Sequence, residues 1–200
     1  MEGVTTNPTI LSHTGLKLSV VIQGIQNLVG SGMVHVQMIS SESDEMVLEA
    51  KKYRSYFDFG DNFYAKIPVT ANGYRAMRIL KQAGVNATAT AIFTQQQAFV
   101  AMKAGADFVA PYVNRLDNIS SHGIEVVGDI VQNISEYGLS GKVLAASFKT
   151  VDQIYRVCMA GAYSATIGSE LLHQLIKHPM TDIGVKQFEI DAEGLYEIAF

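Results

Sequence analysis

The chain has a single cysteine, no block of basic residues and no apolar run long enough to cross a membrane. Each shortage excludes a class of protein. One thiol, Cys158, cannot form a disulfide framework or a paired-cysteine metal site, and its apolar helical surroundings predict that it is buried. A net charge of −4 with both signs dispersed offers no track for a phosphate backbone, so nucleic acid is not an expected partner. The lack of a membrane-length apolar run excludes a helical span. Met1-Glu2-Gly3 shows neither the basic nor the hydrophobic region of a secretion signal, so the expected location is the cytoplasm. His13, His35, His122, His173 and His178 fall at no metal-ligand spacing, and neither a metal nor another cofactor is expected. What is present is apolar: 48% hydrophobic against 17% charged residues, in 200 residues, predicts one well-filled core.

Seven short strand-like runs recur, at residues 3–7, 33–39, 63–69, 86–93, 106–113, 142–148 and 163–168. Helical patterns separate them, at residues 16–28, 42–56, 72–83, 94–104, 124–137 and 151–160. Several of these stop at a glycine (Gly84, Gly105, Gly138, Gly161), which is a favoured C-terminal cap. Strict alternation of strand and helix means βα units and a parallel sheet. No linker or low-complexity stretch divides the chain, so residues 1–200 are expected to form one domain. Polar residues share one parity of the strands: Thr5 and Asn7, His35 and Gln37, Tyr64 and Lys66, Thr88 and Thr90, Tyr112 and Asn114, then Ser147. Polar side chains at the C-terminal ends of strands suit the mouth of an eight-stranded (β/α) barrel of the TIM type, whose active sites lie at that face. Seven runs are one short of eight. The expected fold is therefore a (β/α)8 barrel that lacks its first βα unit in this chain, with an extra helix at residues 181–200.

Lys66 lies within Phe63-Tyr64-Ala65-Lys66-Ile67-Pro68-Val69-Thr70, where alternation puts Phe63, Ala65, Ile67 and Val69 on one face and Lys66 on the other. Burying an ammonium without a partner is costly and is relieved by a lowered pKa. A neutral buried lysine is the nucleophile that forms Schiff bases with carbonyl substrates. A lysine stem can equally line a strand end while its head reaches water. The segment alone leaves both readings open.

Four motifs together break the tie. Gly3-Val4-Thr5-Thr6-Asn7-Pro8-Thr9-Ile10, Ala65-Lys66-Ile67-Pro68-Val69-Thr70, Ala110-Pro111-Tyr112-Val113-Asn114-Arg115-Leu116-Asp117 and Ala145-Ala146-Ser147-Phe148-Lys149-Thr150 resemble the transaldolase family. The resemblance is to its small-subunit branch, which includes fructose-6-phosphate aldolase, and runs from Gly3 to about Phe188. It implies that Lys66 forms the Schiff base with a ketose donor. Thr5 and Asn7 would bind the donor hydroxyls, although an Asn before a proline also commonly shapes a turn. Gln37 and Thr90 would hold a catalytic water, and Tyr112 would be the acid/base. Arg115, Ser147 and Lys149 would bind the sugar phosphate, an arginine fork and a helix N-terminus both being suited to anions.

Transaldolases proper usually carry Glu and Phe where this chain has Gln37 and Tyr112. The resemblance therefore implies an aldolase that cleaves fructose 6-phosphate reversibly to dihydroxyacetone and glyceraldehyde 3-phosphate. A transaldolase moving a dihydroxyacetone unit between sugar phosphates is the alternative. Two further readings remain: a phosphate-binding isomerase or epimerase barrel, and a catalytically impaired barrel that binds sugar phosphate. The family's first strand carries an active-site aspartate with no counterpart here. The expected partners are small sugar phosphates, with no membrane. Copies of this chain are also expected, because the amphipathic segment 181–200 resembles the helix that joins subunits into pentamers or decamers.

Overall fold

A computed structural model describes residues 2–196. The chain divides into two compact units, Met1–Thr166 and Ile167–Phe200. The first unit is built on seven parallel strands that pair strictly in chain order. They are β1 (Gly3–Thr5), β2 (Met33–Gln37), β3 (Phe63–Pro68), β4 (Asn86–Ile92), β5 (Phe108–Pro111), β6 (Lys142–Ala145) and β7 (Ser164–Ala165). β2 to β6 are strands for the expected reason, short runs with apolar residues on the outward parity. Val34, Val36, Ala65, Ile67, Ala87 and Ala89 are wholly buried. At roughly 1.5–3 kcal/mol for each larger aliphatic side chain, this outward layer is a main stabiliser of the sheet.

The connections are helical: α1 (Pro8–Thr14), α2 (Leu18–Val29), α3 (Ser43–Phe57), α4 (Ala71–Gln82), α5 (Gln95–Ala104), α6 (Val113–Asp117), α7 (Gly123–Glu136) and α8 (Val151–Met159). Their buried residues fall three and four apart, as in Ala76, Met77 and Leu80 of α4. The sheet is curled, because its two edges meet through side chains: Thr5 Oγ1 on β1 lies 2.8 Å from Thr166 Oγ1, just after β7. A seven-stranded curled parallel sheet with flanking helices is an α/β barrel-like fold. The second unit holds α9 (Ser169–Ile176) and α10 (Pro179–Ala192). The expected helix at 181–200 thus starts two residues earlier and ends at Ala192, while Ile198 and Phe200 lie outside the described residues.

Two helices and one burial state depart from expectation. Asn7 Oδ1 accepts the Ile10 N–H at 2.8 Å and caps α1, a helix absent from the expected set. α6 begins at Val113, the last residue of what read as strand from 106 to 113, and the strand itself ends at Pro111. Cys158 is exposed, not buried. The inward stripe of α8 is Gln153, Ile154 and Val157, and the next residue is turned about 100° away from it.

Candidate active site

The interior of the sheet carries the polar parity that the alternation predicts. Its lower layer is a packed cluster. His35 is 3% exposed, its Nδ1 lies 2.7 Å from Thr88 Oγ1, and its ring stacks on Tyr64 at 4.6 Å between centroids. Phe108 packs edge-on against both rings. Burial, and secondarily the charge of Lys66, pushes the His35 pKa down to about 3, so this imidazole stays neutral. Neutral His35 therefore puts no second positive charge beneath the lysine.

Lys66 stands in register with Gln37 on one side and Thr88 on the other. It is 6% exposed, and its Nζ donates to the Thr6 carbonyl oxygen at 2.8 Å. Among the described residues no carboxylate lies within ion-pair reach of it. Burial without a counter-charge lowers its pKa to about 8. About one-tenth of such an amine is neutral at pH 7, against less than a thousandth for an ordinary lysine. Gln37 Nε2 donates to the backbone carbonyls of Lys66 at 3.1 Å and Met38 at 3.2 Å, fixing the strand ends around the amine. Thr6 and Gln37 also line a cleft of about 430 Å³ with Pro8, Leu11, Ile39 and Tyr53, which is ligand-sized.

Thr90 and Tyr112 are brought together, their hydroxyl oxygens 3.0 Å apart. A bulge contributes to this aim: β4 shifts register between Ala89 and Ile92, and Ala91 takes φ +58°, in the left-handed region. A non-glycine residue there costs about 1 kcal/mol, and such strain gathers at functional sites. Gln37 and Thr90 are each engaged separately rather than with each other. Thr5 is tied to Thr166, and Asn7 has its side-chain oxygen committed to α1, leaving its Nδ2 without a hydrogen-bond partner among the described residues.

Arg115, on α6, is exposed and lays its guanidinium over the Tyr112 ring, 4.8 Å from the centroid. Ser147, just after β6, takes φ +64°. The Asn114 N–H donates to its carbonyl at 2.7 Å, and Val113 N–H to that of Ala146 at 2.9 Å, so α6 and the β6–α8 turn are drawn into one surface. Lys149 is exposed on the same turn, one residue before the N-cap Thr150. The three expected phosphate ligands thus stand on two adjoining segments. Sequence reasoning missed the Thr6 carbonyl, which carries no side-chain signal. It also missed Gln153, which the Thr150-x-x-Gln153 capping spacing does announce.

An amine buried inside a curled parallel sheet, with hydroxyls and cations at the strands' C-terminal ends, defines a barrel-like α/β protein built around a buried lysine. The family described as "Transaldolase/Fructose-6-phosphate aldolase" matches residues 1–198. Relatives named "Probable transaldolase" agree: that of Symbiobacterium thermophilum is 38% identical over 97% of this chain and 88% of its own length. That of Hydrogenobaculum sp. is 38% identical over 96% and 87%, and that of Clostridium tetani 36% over 98% and 89%. The chain belongs to the transaldolase/fructose-6-phosphate aldolase family, a family of enzymes. Among the described residues no helix is long and apolar enough to cross a membrane.

Proposed function

We propose that this protein is a Schiff-base aldolase that cleaves fructose 6-phosphate reversibly to dihydroxyacetone and glyceraldehyde 3-phosphate. The observation that carries the reading is Lys66: buried, without a carboxylate partner among the described residues and with a pKa near 8. Its neutral amine attacks the ketose C2 carbonyl, and loss of water leaves an iminium. The C3–C4 bond then breaks, its electron pair passing into the iminium to give an enamine. The proton of the C4 hydroxyl leaves through the Tyr112–Thr90 hydroxyl pair, which returns a proton to C3 before water releases dihydroxyacetone. Arg115, Ser147 and Lys149 hold the phosphate, and Gln37 and the Asn7 Nδ2 orient the donor.

The relatives' name favours a second reading, transfer of the enamine to another sugar-phosphate aldehyde in place of its release. The enamine is common to both. Borohydride reduction in the presence of dihydroxyacetone tests the shared chemistry: a covalent mass gain mapped to Lys66 is expected, and no gain on Lys66 overturns the reading. Comparing turnover of fructose 6-phosphate with and without an acceptor aldehyde separates the two. Turnover that requires the acceptor makes the protein a transaldolase.

A further inference from the structure

We propose that Gln153 and Asp117 form a brace that holds the phosphate side of the site together, an inference that rests on the phosphate role given above to Arg115, Ser147 and Lys149. Neither touches the reacting atoms, so both are positioning residues.

The Gln153 carboxamide is used at both ends. Its Oε1 accepts the N–H groups of Lys149 at 2.8 Å and Thr150 at 3.3 Å, which fixes the β6–α8 turn. Its Nε2 donates to Asp117 Oδ2 at 2.7 Å and to Asn114 Oδ1 at 3.4 Å, which grips α6 on either side of Arg115. The other carboxylate oxygen, Asp117 Oδ1, accepts the Gly123 N–H at 2.8 Å and anchors the start of α7. One side chain, 9% exposed, therefore joins the segment that carries Lys149 to the segment that carries Arg115. Separation matters here, since two cations clamp one phosphate only at a fixed distance.

The fold supplies its own control. Thr94 and Gln97 make the same capping box at the start of α5, with Gln97 Oε1 accepting the N–H groups of Phe93 at 2.8 Å and Thr94 at 3.2 Å. Gln97 Nε2 has no hydrogen-bond partner among the described residues. A cap needs only the oxygen, so the outward reach of Gln153 Nε2 serves something more than helix α8.

Gln153→Glu keeps the capping oxygen and replaces the donor with an acceptor facing Asp117. Adding Asp117→Asn to it restores a bond of opposite polarity, the new amide donating to the new carboxylate and its oxygen still accepting from Gly123. Gln153→Glu is expected to raise KM for glyceraldehyde 3-phosphate about tenfold, the effect of one lost charge-assisted hydrogen bond, with little change for free glyceraldehyde. The double variant should regain most of that loss, and Gln97→Glu should show none. Inorganic phosphate gives a readout independent of turnover. The wild type and the double variant should be thermally stabilised at lower phosphate concentrations than Gln153→Glu. Equal losses on both aldehydes, failure of the double variant to recover, or a matching defect in Gln97→Glu would overturn the brace. If the wild type forms no imine yet shows this phosphate pattern, the aldolase reading fails and the brace stands. Imine formation without any phosphate response rejects the brace alone.

Discussion

An ammonium on Lys66 gives up most of its hydration in exchange for one carbonyl, that of Thr6, and the consequences for stability and for chemistry have opposite signs. Its folded pKa, about 8, lies below the unfolded value of about 10.5. The unfolded chain therefore binds the extra proton, and the destabilisation is fully present below pH 8. It is relieved as pH rises from about 8 to about 10.5, a change on the order of 3 kcal/mol. Lys66→Met keeps the stem volume and removes the amine. The variant should lose C–C bond cleavage and synthesis while melting at a higher temperature than the wild type at pH 7. Residual turnover above trace levels would remove Lys66 from the mechanism. In the wild type, the imine-forming rate should climb with pH and level off above about 8, in step with the neutral amine. Tyr112→Phe deletes one hydroxyl and breaks the 3.0 Å contact with Thr90. Cleavage should fall by roughly 10²–10⁴-fold if this phenol moves the proton, and steady-state assays showing unchanged rates would make it a packing residue.

Between Lys66 and the helix that follows it, one glycine sets the fit of the elements. A Cβ built on Gly73 would lie 1.9 Å from the Pro68 carbonyl oxygen, closer than any real contact, and the atom it meets is backbone. Only glycine lets the first turn of α4 sit against the end of β3. Gly73→Ala should thus cost stability on the scale of overpacking, about 1–3 kcal/mol in a denaturant titration, and lower kcat by shifting the strand that carries Lys66. A neutral Gly73→Ala would mean that α4 can slide freely. Elements of this kind were legible where burial leaves a rhythm: β2 to β6 and helices such as α4 and α7 follow from alternation and three-to-four spacing. α1 buries none of its seven residues and so leaves no apolar stripe to read. α6 is five residues long, and Val113 and Leu116, both buried, continue the look of the preceding strand. Lys66 and the inward parity of Gln37, Thr90 and Tyr112 were visible for the same reason as the strands. The Thr6 carbonyl and the reach of Gln153 Nε2 were not, because they depend on how distant segments meet.

At the scale of the molecule, the two units differ in how they could be stable. Met1–Thr166 contains the sheet and its buried layers, whereas the described residues of Ile167–Phe200 form α9 and α10, neither of which buries a residue. So short a unit cannot assemble a core of its own, and isolated helices of 8 and 14 residues are marginal in water. α10 nevertheless exposes Ile183, Phe188 and Ile190 among Asp182, Lys186, Gln187, Glu189 and Asp191. Apolar side chains spaced this way call for a surface to cover them. We propose that the surface belongs to another copy of the chain, and that the protein is a closed homo-oligomer of at least five subunits. Deleting the residues after Met180 should then lower the mass seen by light scattering to that of a monomer, while the sheet-bearing unit keeps its circular dichroism. A monomer for the intact chain would reject the assembly. An oligomer that survives the deletion would move the interface off α10 and onto the first unit.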